Sequence, residues 1–173
     1  GGTLDATLAA ALVAGFSTGV TDAAAPGSTA WSYDATGLNL DFLAAGETIT
    51  FSYTVTATDN NGGTDTDVVS FTITGSNDAP TVSATASAGF TEALDASAQA
   101  LSDSGTVSFG DIDTNDVVDI TYASNADIAW SGGTLDATLA AALVAGFSTG
   151  VTDAAAPGST AWSYDATGLN LDF

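Results

Sequence analysis

Two stretches of this sequence alternate strictly between apolar and polar residues. Apolar side chains occupy every second position, and threonine, serine or valine fills the positions between them. Alternation with a period of two is typical of an antiparallel strand that buries one face and exposes the other. The apolar faces consist of Ile49, Phe51, Tyr53, Val55 and Ala57 in the first stretch, and of Val69, Phe71 and Ile73 in the second.

Shorter segments with the same character predict further strands. They are Thr81–Ala86, Gly105–Phe109, Asp116–Ala123, Ala126–Trp130, Thr29–Tyr33 and Leu38–Phe42. About seven or eight strands per repeat would be enough for an immunoglobulin-like antiparallel β-sandwich. The predicted fold class is therefore all-β.

One segment departs from the alternation and predicts a short helix. Leu135, Leu139 and Leu143 follow one another at intervals of four in an alanine-rich stretch. We expect a helix that is capped by Thr134 or Gly133 and ends near Gly146. Each module would carry one such helix.

The sequence contains a long exact repeat. Residues Gly1–Phe42 recur without a mismatch as Gly132–Phe173, which gives a period of 131 residues. This period is the size of an ordinary domain and exceeds the length of solenoid repeats, so tandem modules are expected. Identical neighbouring modules in the same chain are then the first predicted partners.

The clearest module boundary is the stretch Thr74–Pro80. It combines glycine, serine, asparagine and aspartate and ends in a proline, which a central strand does not accept. We place residues 1–79 in the later part of one module and residues 80–173 in the earlier part of the next.

The composition of the chain is unusual because it includes no basic side chain. The chain has 19 Asp and 2 Glu but no Lys, Arg or His, so its formal charge is −21. Nucleic acids and anionic membranes are poor partners for such a surface, because both are bound through Lys and Arg, and neither nucleic-acid binding nor direct membrane insertion is expected. Apolar residues at 45% still provide a core, and no apolar run is long enough to span a membrane.

Oxygen-bearing side chains cluster at predicted strand ends and turns. The clusters contain Asp111, Asp113 and Asp116; Asp59, Asn61 and Asp65; Asn77 and Asp78; and the single residue Glu92. Two carboxylates about 4 Å apart repel by about 1 kcal/mol in water and by about 4 kcal/mol at an effective dielectric near 20. Such clusters favour a bound cation, and hard oxygen ligands in loops select Ca²⁺.

Local calcium-binding motifs do not fit these clusters. An EF-hand loop starting at Asp111 would need glycine at Asp116 and glutamate at Tyr122. The run from Gly62 to Asp67 occurs once per period, whereas a β-roll needs consecutive copies. Ligands would therefore come from distant parts of the chain. Turn chemistry alone also explains Asp, Asn and Gly at each single cluster.

Four motifs resemble the VCBS repeats of giant bacterial adhesins that are exported by type I secretion. They are Ser76–Pro80, Thr58–Gly63, Trp31–Tyr33 and Leu43–Glu47, and the resemblance covers nearly the whole period. The boundary also resembles the calcium-binding linker of cadherins, although it is shorter and lacks the middle Glu motif. The resemblance implies that Asn77, Asp78, Glu92, Asp111 and Asp113 bind calcium at the junction, joined by Asp59.

Catalysis is not expected. Without His, Cys or Lys, only carboxylates and hydroxyls are available. The triplet Asp103-Ser104-Gly105 matches that of aspartic proteases but occurs once and reads as a turn. Carboxylate pairs could serve a glycosidase, but Trp31 and Trp130 lie in alternating segments and are expected in the core.

The expected function is that of a structural extender in a long extracellular protein, at the bacterial surface or in a biofilm matrix. Calcium at module junctions would stiffen the array and carry a distant binding domain to other cells, surfaces or matrix. Two alternatives remain open: a module that itself binds a glycan, and a subunit of a self-assembling filament.

Overall fold

The computed structural model describes residues 3–94 and 99–171. Gly1 and Gly2 begin the first copy of the repeat, and Asp172 and Phe173 end the second copy. These four residues lie outside the described ranges. Within them the chain divides into two compact units. Unit 1 contains residues 1–78 and the short segment Asp113–Asn115, and unit 2 contains residues 79–112 and 116–173. The division after Asp78 lies one residue from the boundary inferred from sequence.

Unit 1 consists of one helix and two antiparallel strand pairs. Strand β1 pairs with β2, and β3 pairs with β4 over eleven consecutive positions. The elements are α1 (Ala6–Ala14), β1 (Phe16–Thr18), β2 (Trp31–Tyr33), β3 (Thr48–Thr58) and β4 (Thr64–Thr74). The hairpin β3–β4 covers both alternating stretches, and its apolar face lies against aromatic rings of β1 and β2.

Unit 2 contains a four-stranded antiparallel sheet in the order β5-β6-β10-β8 and a separate pair, β7-β9. Its elements are β5 (Thr81–Ala84), β6 (Ser102–Gly110), β7 (Val117–Ile120), α2 (Ala137–Ala145), β8 (Phe147–Thr149), β9 (Val151–Ala155) and β10 (Gly158–Asp165). The buried apolar residues of this unit are Leu101, Val107, Phe109, Val118, Trp162 and Ala166.

The hairpin register follows directly from the alternation. Phe51 pairs with Phe71 and Ile49 with Ile73, so the apolar residues of both strands lie on one face. A shift by one residue would transfer them to the hydroxyl-rich face, and burial of the aromatic rings therefore specifies the register. Near the turn the same face becomes acidic, because Val55 pairs with Asp67 and Ala57 with Asp65.

Both helices have the same capping chemistry at the N-terminus. The carboxylate of Asp5 accepts hydrogen bonds from the amides of Thr7 and Leu8, and Asp136 does the same in α2. The cap expected at Thr134 or Gly133 is therefore wrong, since a carboxylate satisfies the free amides of a first turn better. The helix ends at Ala145 with Gly146 as its C-cap, which agrees with the expected end near Gly146.

Antiparallel sheets with two short helices confirm the all-β class. The strands expected at Ala126–Trp130 and Leu38–Phe42 are wrong. Trp130 forms an isolated bridge with Gly133, and the second segment contains turns. In both places apolar residues occur without a neighbouring strand to complete a ladder, and pairing is what stabilises a strand.

The two copies of the repeated sequence have different secondary structure. Residues 151–155 form β9, whereas the identical residues 20–24 form no strand. Strand β10 has eight residues, and its counterpart β2 has three. In unit 2, β7 pairs with β9 and β6 pairs with β10. These partner strands account for the difference.

Candidate metal centre

Asp113 is the most deeply buried carboxylate among the described residues. Its side chain is 1% exposed, and Oδ2 accepts a hydrogen bond of 2.8 Å from the backbone amide of Asp78. The neighbouring Asn77 donates from Nδ2 to the carbonyl of Asp78 at 2.6 Å. The structure therefore brings together Asn77, Asp78 and Asp113, three of the residues predicted as ligands.

The segment Asp113–Asn115 is held in unit 1 by further bonds. The amide and hydroxyl of Thr114 both donate to the carbonyl of Phe42, at 3.4 Å. Asn115 donates from Nδ2 to Oε1 of Glu47, while Oε2 of Glu47 accepts from the amide of Ala44 at 3.2 Å. Glu47, which was not predicted as a ligand, therefore lies beside Asn115. One sequence signal was its place in the motif Leu43–Glu47, which the resemblance had already singled out.

A polar cavity of about 260 Å³ adjoins the boundary segment within unit 1. Two of its lining residues carry carboxylates, Asp41 and Asp78. The remaining lining residues are Leu40, Leu43, Ile73, Thr74, Gly75 and Ser76. Sequence reasoning missed Asp41, because it lies in a segment interpreted as a strand.

Gly75 allows the boundary segment to pass close to the backbone of Leu43 and Ala44. A Cβ at this position would overlap the carbonyl groups of Leu43 and Ala44. The amide of Gly75 donates to the carbonyl of Glu47 at 2.9 Å. Glycine is needed where two backbones come this close, and here it aligns the loop 43–47 with the boundary segment.

Three predicted ligands lie at the opposite end of the hairpin. Asp59 Oδ1 accepts from the amides of Asn61 and Gly63, at 2.9 and 2.7 Å, and thereby closes the β3–β4 turn. Asp65 Oδ1 accepts from Thr66 N at 3.0 Å. Eleven paired positions separate this turn from Gly75, a distance of roughly 34 Å at about 3.4 Å per residue. Asp59, Asn61 and Asp65 therefore do not join Asp78 and Asp113.

Unit 2 contains the other three predicted ligands. Glu92 accepts a hydrogen bond of 3.3 Å at Oε1 from Gln99, whose side chain is buried. The side-chain amide of Gln99 also accepts from the backbone amide of Ala93 and donates to the carbonyl of Ala93. Glu92 therefore participates in a local loop structure. Asp111 and Asp116 are half-buried and flank the segment that belongs to unit 1.

In residues 3–94 and 99–171, no three His, Cys, Asp or Glu side chains form a group that could hold a metal ion. Calcium also takes backbone carbonyl, amide and water oxygens, so this observation concerns side-chain triads alone. The donor set around Asp78 and Asp113 consists of carboxylate, amide and carbonyl oxygens. This set fits a hard cation such as Ca²⁺ and does not suit Zn²⁺ or Cu²⁺.

Three carboxylates away from this centre are stabilised in their charged form. The pKa of Asp103 is lowered by its hydrogen bonds from the hydroxyl of Ser87 and the amide of Ser104. Hydrogen bonds from Thr36 and Thr167 likewise lower the pKa values of Asp34 and Asp165. Local hydrogen-bond donors therefore stabilise the charged form of these three carboxylates in place of basic side chains.

Comparison of the sequence with protein-family models and with curated proteins gives no match to either. None of the helices in the described part of the chain is long and apolar enough to cross a membrane.

Proposed function

We propose that this chain is a structural, non-catalytic extender segment of an extracellular bacterial protein, built from tandem immunoglobulin-like modules. Calcium would bind near the module boundary and stiffen the chain there. The buried carboxylate of Asp113, bonded to the amide of Asp78, carries the proposal. Charge buried in a protein is costly unless it is compensated, and this sequence offers no basic side chain to compensate it.

Asp78 and Asp113 would be the central ligands, with Asp41, Glu47 and Asn77 as neighbouring oxygen donors. Bound calcium would supply positive charge and draw these chain segments together. The segment Asp113–Asn115 is covalently flanked by residues of unit 2. An ion at Asp113 would therefore restrict the chain where it passes from one unit to the other.

An alternative role in glycan binding gains no support from the exposed aromatic residues. Trp31 is 52% exposed and Trp130 is 39% exposed, so both are outside the core in which they were expected. Trp162 is identical to Trp31 in sequence context, and strand β6 buries it in unit 2. The exposure of Trp31 follows from its pairing and needs no ligand.

Calcium should raise the melting temperature of the chain. Extracellular calcium modules bind with dissociation constants of about 10⁻⁴–10⁻³ M, and free calcium at about 100 times that value adds about 2.7 kcal/mol per site. Thermal unfolding followed by circular dichroism, in calcium and in EDTA, measures this effect. Asp113→Asn should abolish most of the calcium-dependent increase.

Asp127→Asn is the matched control, because Asp127 is exposed and the substitution removes the same charge. This variant should respond to calcium like the unmodified chain. Equal melting temperatures in calcium and EDTA, or an equal loss of response in both variants, would contradict the proposal.

A further inference from the structure

The turn of the hairpin β3–β4 contains an asparagine that is followed directly by a glycine. Asn61 and Gly62 lie between the two strands, and both residues are exposed. In an Asn-Gly pair the backbone nitrogen of the glycine can attack the side-chain amide carbon of the asparagine, because glycine has no Cβ to obstruct the approach. Of the seven asparagines in the chain, only Asn61 precedes a glycine. The other six are Asn39, Asn60, Asn77, Asn115, Asn125 and Asn170.

Hydrogen bonds of Asp59 hold this turn closed. Its carboxylate oxygen Oδ1 accepts from the amides of Asn61 and Gly63, at 2.9 and 2.7 Å. Its backbone amide donates to the carbonyl of Gly63 at 2.9 Å, and its carbonyl accepts from the amide of Gly62 at 3.2 Å. Aspartate closes turns in this way because its short side chain reaches the backbone amides that follow it. The peptide between Asn61 and Gly62 therefore lies inside a hydrogen-bonded loop.

The turn requires glycine at the same place that makes the pair reactive. Gly62 has a φ of +87°, in the left-handed region that glycine adopts without strain. At Gly63 a Cβ would lie 2.8 Å from the carboxylate of Asp59. The two glycines thus allow the carboxylate to reach the backbone of the turn, and they leave the side chain of Asn61 open to attack.

We propose that Asn61 is a site of spontaneous deamidation, and that Asp59 sets the rate by holding the turn closed. In the first step the backbone nitrogen of Gly62 loses its proton to solvent and bonds to Cγ of Asn61. The Cγ–Nδ2 bond breaks, and Nδ2 takes a proton from water and leaves as ammonia. Water then adds to one of the two carbonyl carbons of the resulting cyclic imide. The ring C–N bond opens and gives either aspartate or isoaspartate.

The closed turn opposes the first step of this reaction. The amide proton of Gly62 is bonded to the carbonyl of Asp59, so this bond must break before the nitrogen can attack. The carboxylate of Asp59 also holds the amides on both sides of the reactive nitrogen, and this opposes the rotation that brings Cγ of Asn61 to it. Reaction therefore takes place in molecules whose hairpin end has opened, and exposed loops open more readily than core strands.

Deamidation changes the turn in two ways. Either product adds a carboxylate to a segment that already contains Asp59 and Asp65. Isoaspartate also adds a methylene to the main chain, so the amides that bond to Asp59 no longer have the matching spacing. We expect the end of the hairpin to fray, whereas the aromatic pair Phe51 and Phe71 in the centre of the ladder keeps its register.

Peptide mapping by mass spectrometry measures the reaction while the full chain is incubated at mildly alkaline pH, below its melting temperature. Exchange of the side-chain NH₂ for OH should accumulate at Asn61 at least about tenfold faster than at any other asparagine. Part of the product should be isoaspartate, because direct hydrolysis of the side chain gives aspartate alone. Equal rates at all asparagines, or aspartate without isoaspartate, would overturn the proposed site.

Two variants test the role of Asp59. Asp59→Ala removes both side-chain bonds of the turn and should accelerate deamidation several-fold. Asp65→Ala is the matched control, because it removes the same charge while the carboxylate of Asp65 accepts from Thr66, outside the turn. This control should react at the rate of the unmodified chain. Equal rates in all three proteins, or equal acceleration in both variants, would show that the bonds of Asp59 do not set the rate.

A synthetic peptide with the sequence of residues 57–65 is independent of how the variants fold. Without the hairpin it should react faster than the full chain, and Asp59→Ala in the peptide should not change its rate. A peptide that reacts no faster than the full chain would contradict protection by the turn. All incubations contain EDTA, because the reaction uses no metal ion, and their outcome is therefore separate from that of the calcium proposal.

Discussion

Asp103 illustrates how a half-buried carboxylate is stabilised in a chain without basic residues. Its Oδ2 accepts from the hydroxyl of Ser87 at 2.5 Å and its Oδ1 from the amide of Ser104 at 2.8 Å. These hydrogen bonds favour the charged form and lower the pKa of Asp103. Asp113 differs, because it is buried and bonded to the backbone of the module boundary.

Ser87→Ala should raise the pKa of Asp103 towards its ordinary value, since the hydroxyl donor is the largest cause of the lowering. A lowered folded pKa contributes stability above the unfolded pKa of about 3.9, and this stability is lost as pH falls through the folded pKa. The stability difference between the two proteins should therefore be present at neutral pH and shrink in acid. Carboxyl-carbon NMR titration measures the pKa, with Ser83→Ala as the control. An unchanged Asp103 titration would contradict the assignment.

Gly105→Ala should destabilise unit 2 by about 1–3 kcal/mol, the usual cost of overpacking a closely packed position. A Cβ here would overlap the indole of Trp162 and the hydroxyl of Thr85. It would also disturb the hydrogen bond of 3.0 Å from Trp162 Nε1 to the carbonyl of Thr85. Chemical denaturation measures the loss. Ser104→Ala, at an exposed position of the same strand, should change stability little; a similar loss in both variants would exclude this mechanism.

At the scale of elements, pairing partners determine which parts of the repeated sequence become strands. Residues 151–155 form β9 next to β7, and residues 158–165 form β10 next to β6. In unit 1 the identical residues 20–24 form no strand, and residues 27–34 contribute only the three residues of β2. Local propensity is the same in both places, so the difference comes from tertiary contacts.

Hydrogen exchange should therefore distinguish two identical sequences. Intrinsic exchange rates of residues 20–24 and 151–155 are equal, because the residues and their neighbours are the same. Amides bonded within the β7–β9 ladder should be protected by about tenfold or more relative to their counterparts in unit 1. NMR with assigned amides measures both sets in one sample. Equal exchange in the two copies would contradict the described pairing.

At the scale of the whole molecule, charge repulsion opposes the folded state. The formal charge of −21 is compensated by no basic side chain. Self-repulsion of a folded chain is reduced by salt, which screens charges over a Debye length of about 8 Å at physiological ionic strength. General screening and specific calcium binding therefore both predict stabilisation, but by different amounts.

Sodium chloride and calcium chloride at equal ionic strength separate these effects. Sodium chloride should raise the melting temperature through screening alone, and to the same extent in Asp113→Asn. Calcium chloride should raise it further in the unmodified chain, because binding adds to screening. Differential scanning calorimetry measures both increments. Identical curves in the two salts would reduce the role of calcium to screening.

The candidate centre was predicted only in part. Asn77 and Asp78 were identified from the boundary motif and Asp113 from the acidic cluster at 111–116, and the three lie together. Asp59, Asn61 and Asp65 were included because their residue types suit calcium, but the length of the hairpin separates them from Asp78. Asp41 and Glu47 were missed, because loop packing around Gly75 brings them to the boundary segment and leaves no periodic signal.

The sequence by itself determined the elements whose pattern is local. Alternation specified the β3–β4 hairpin with its apolar face, spacing of leucines located the helices, and the repeat revealed two copies of one segment. Tertiary structure alone decided which residues of each copy form strands and which side chains are buried. Trp31 and Trp162 have the same neighbours in sequence, yet the first is 52% exposed and the second 5%. The physical reason is that strand formation and burial depend on partners far along the chain, and only β10 has β6 beside it.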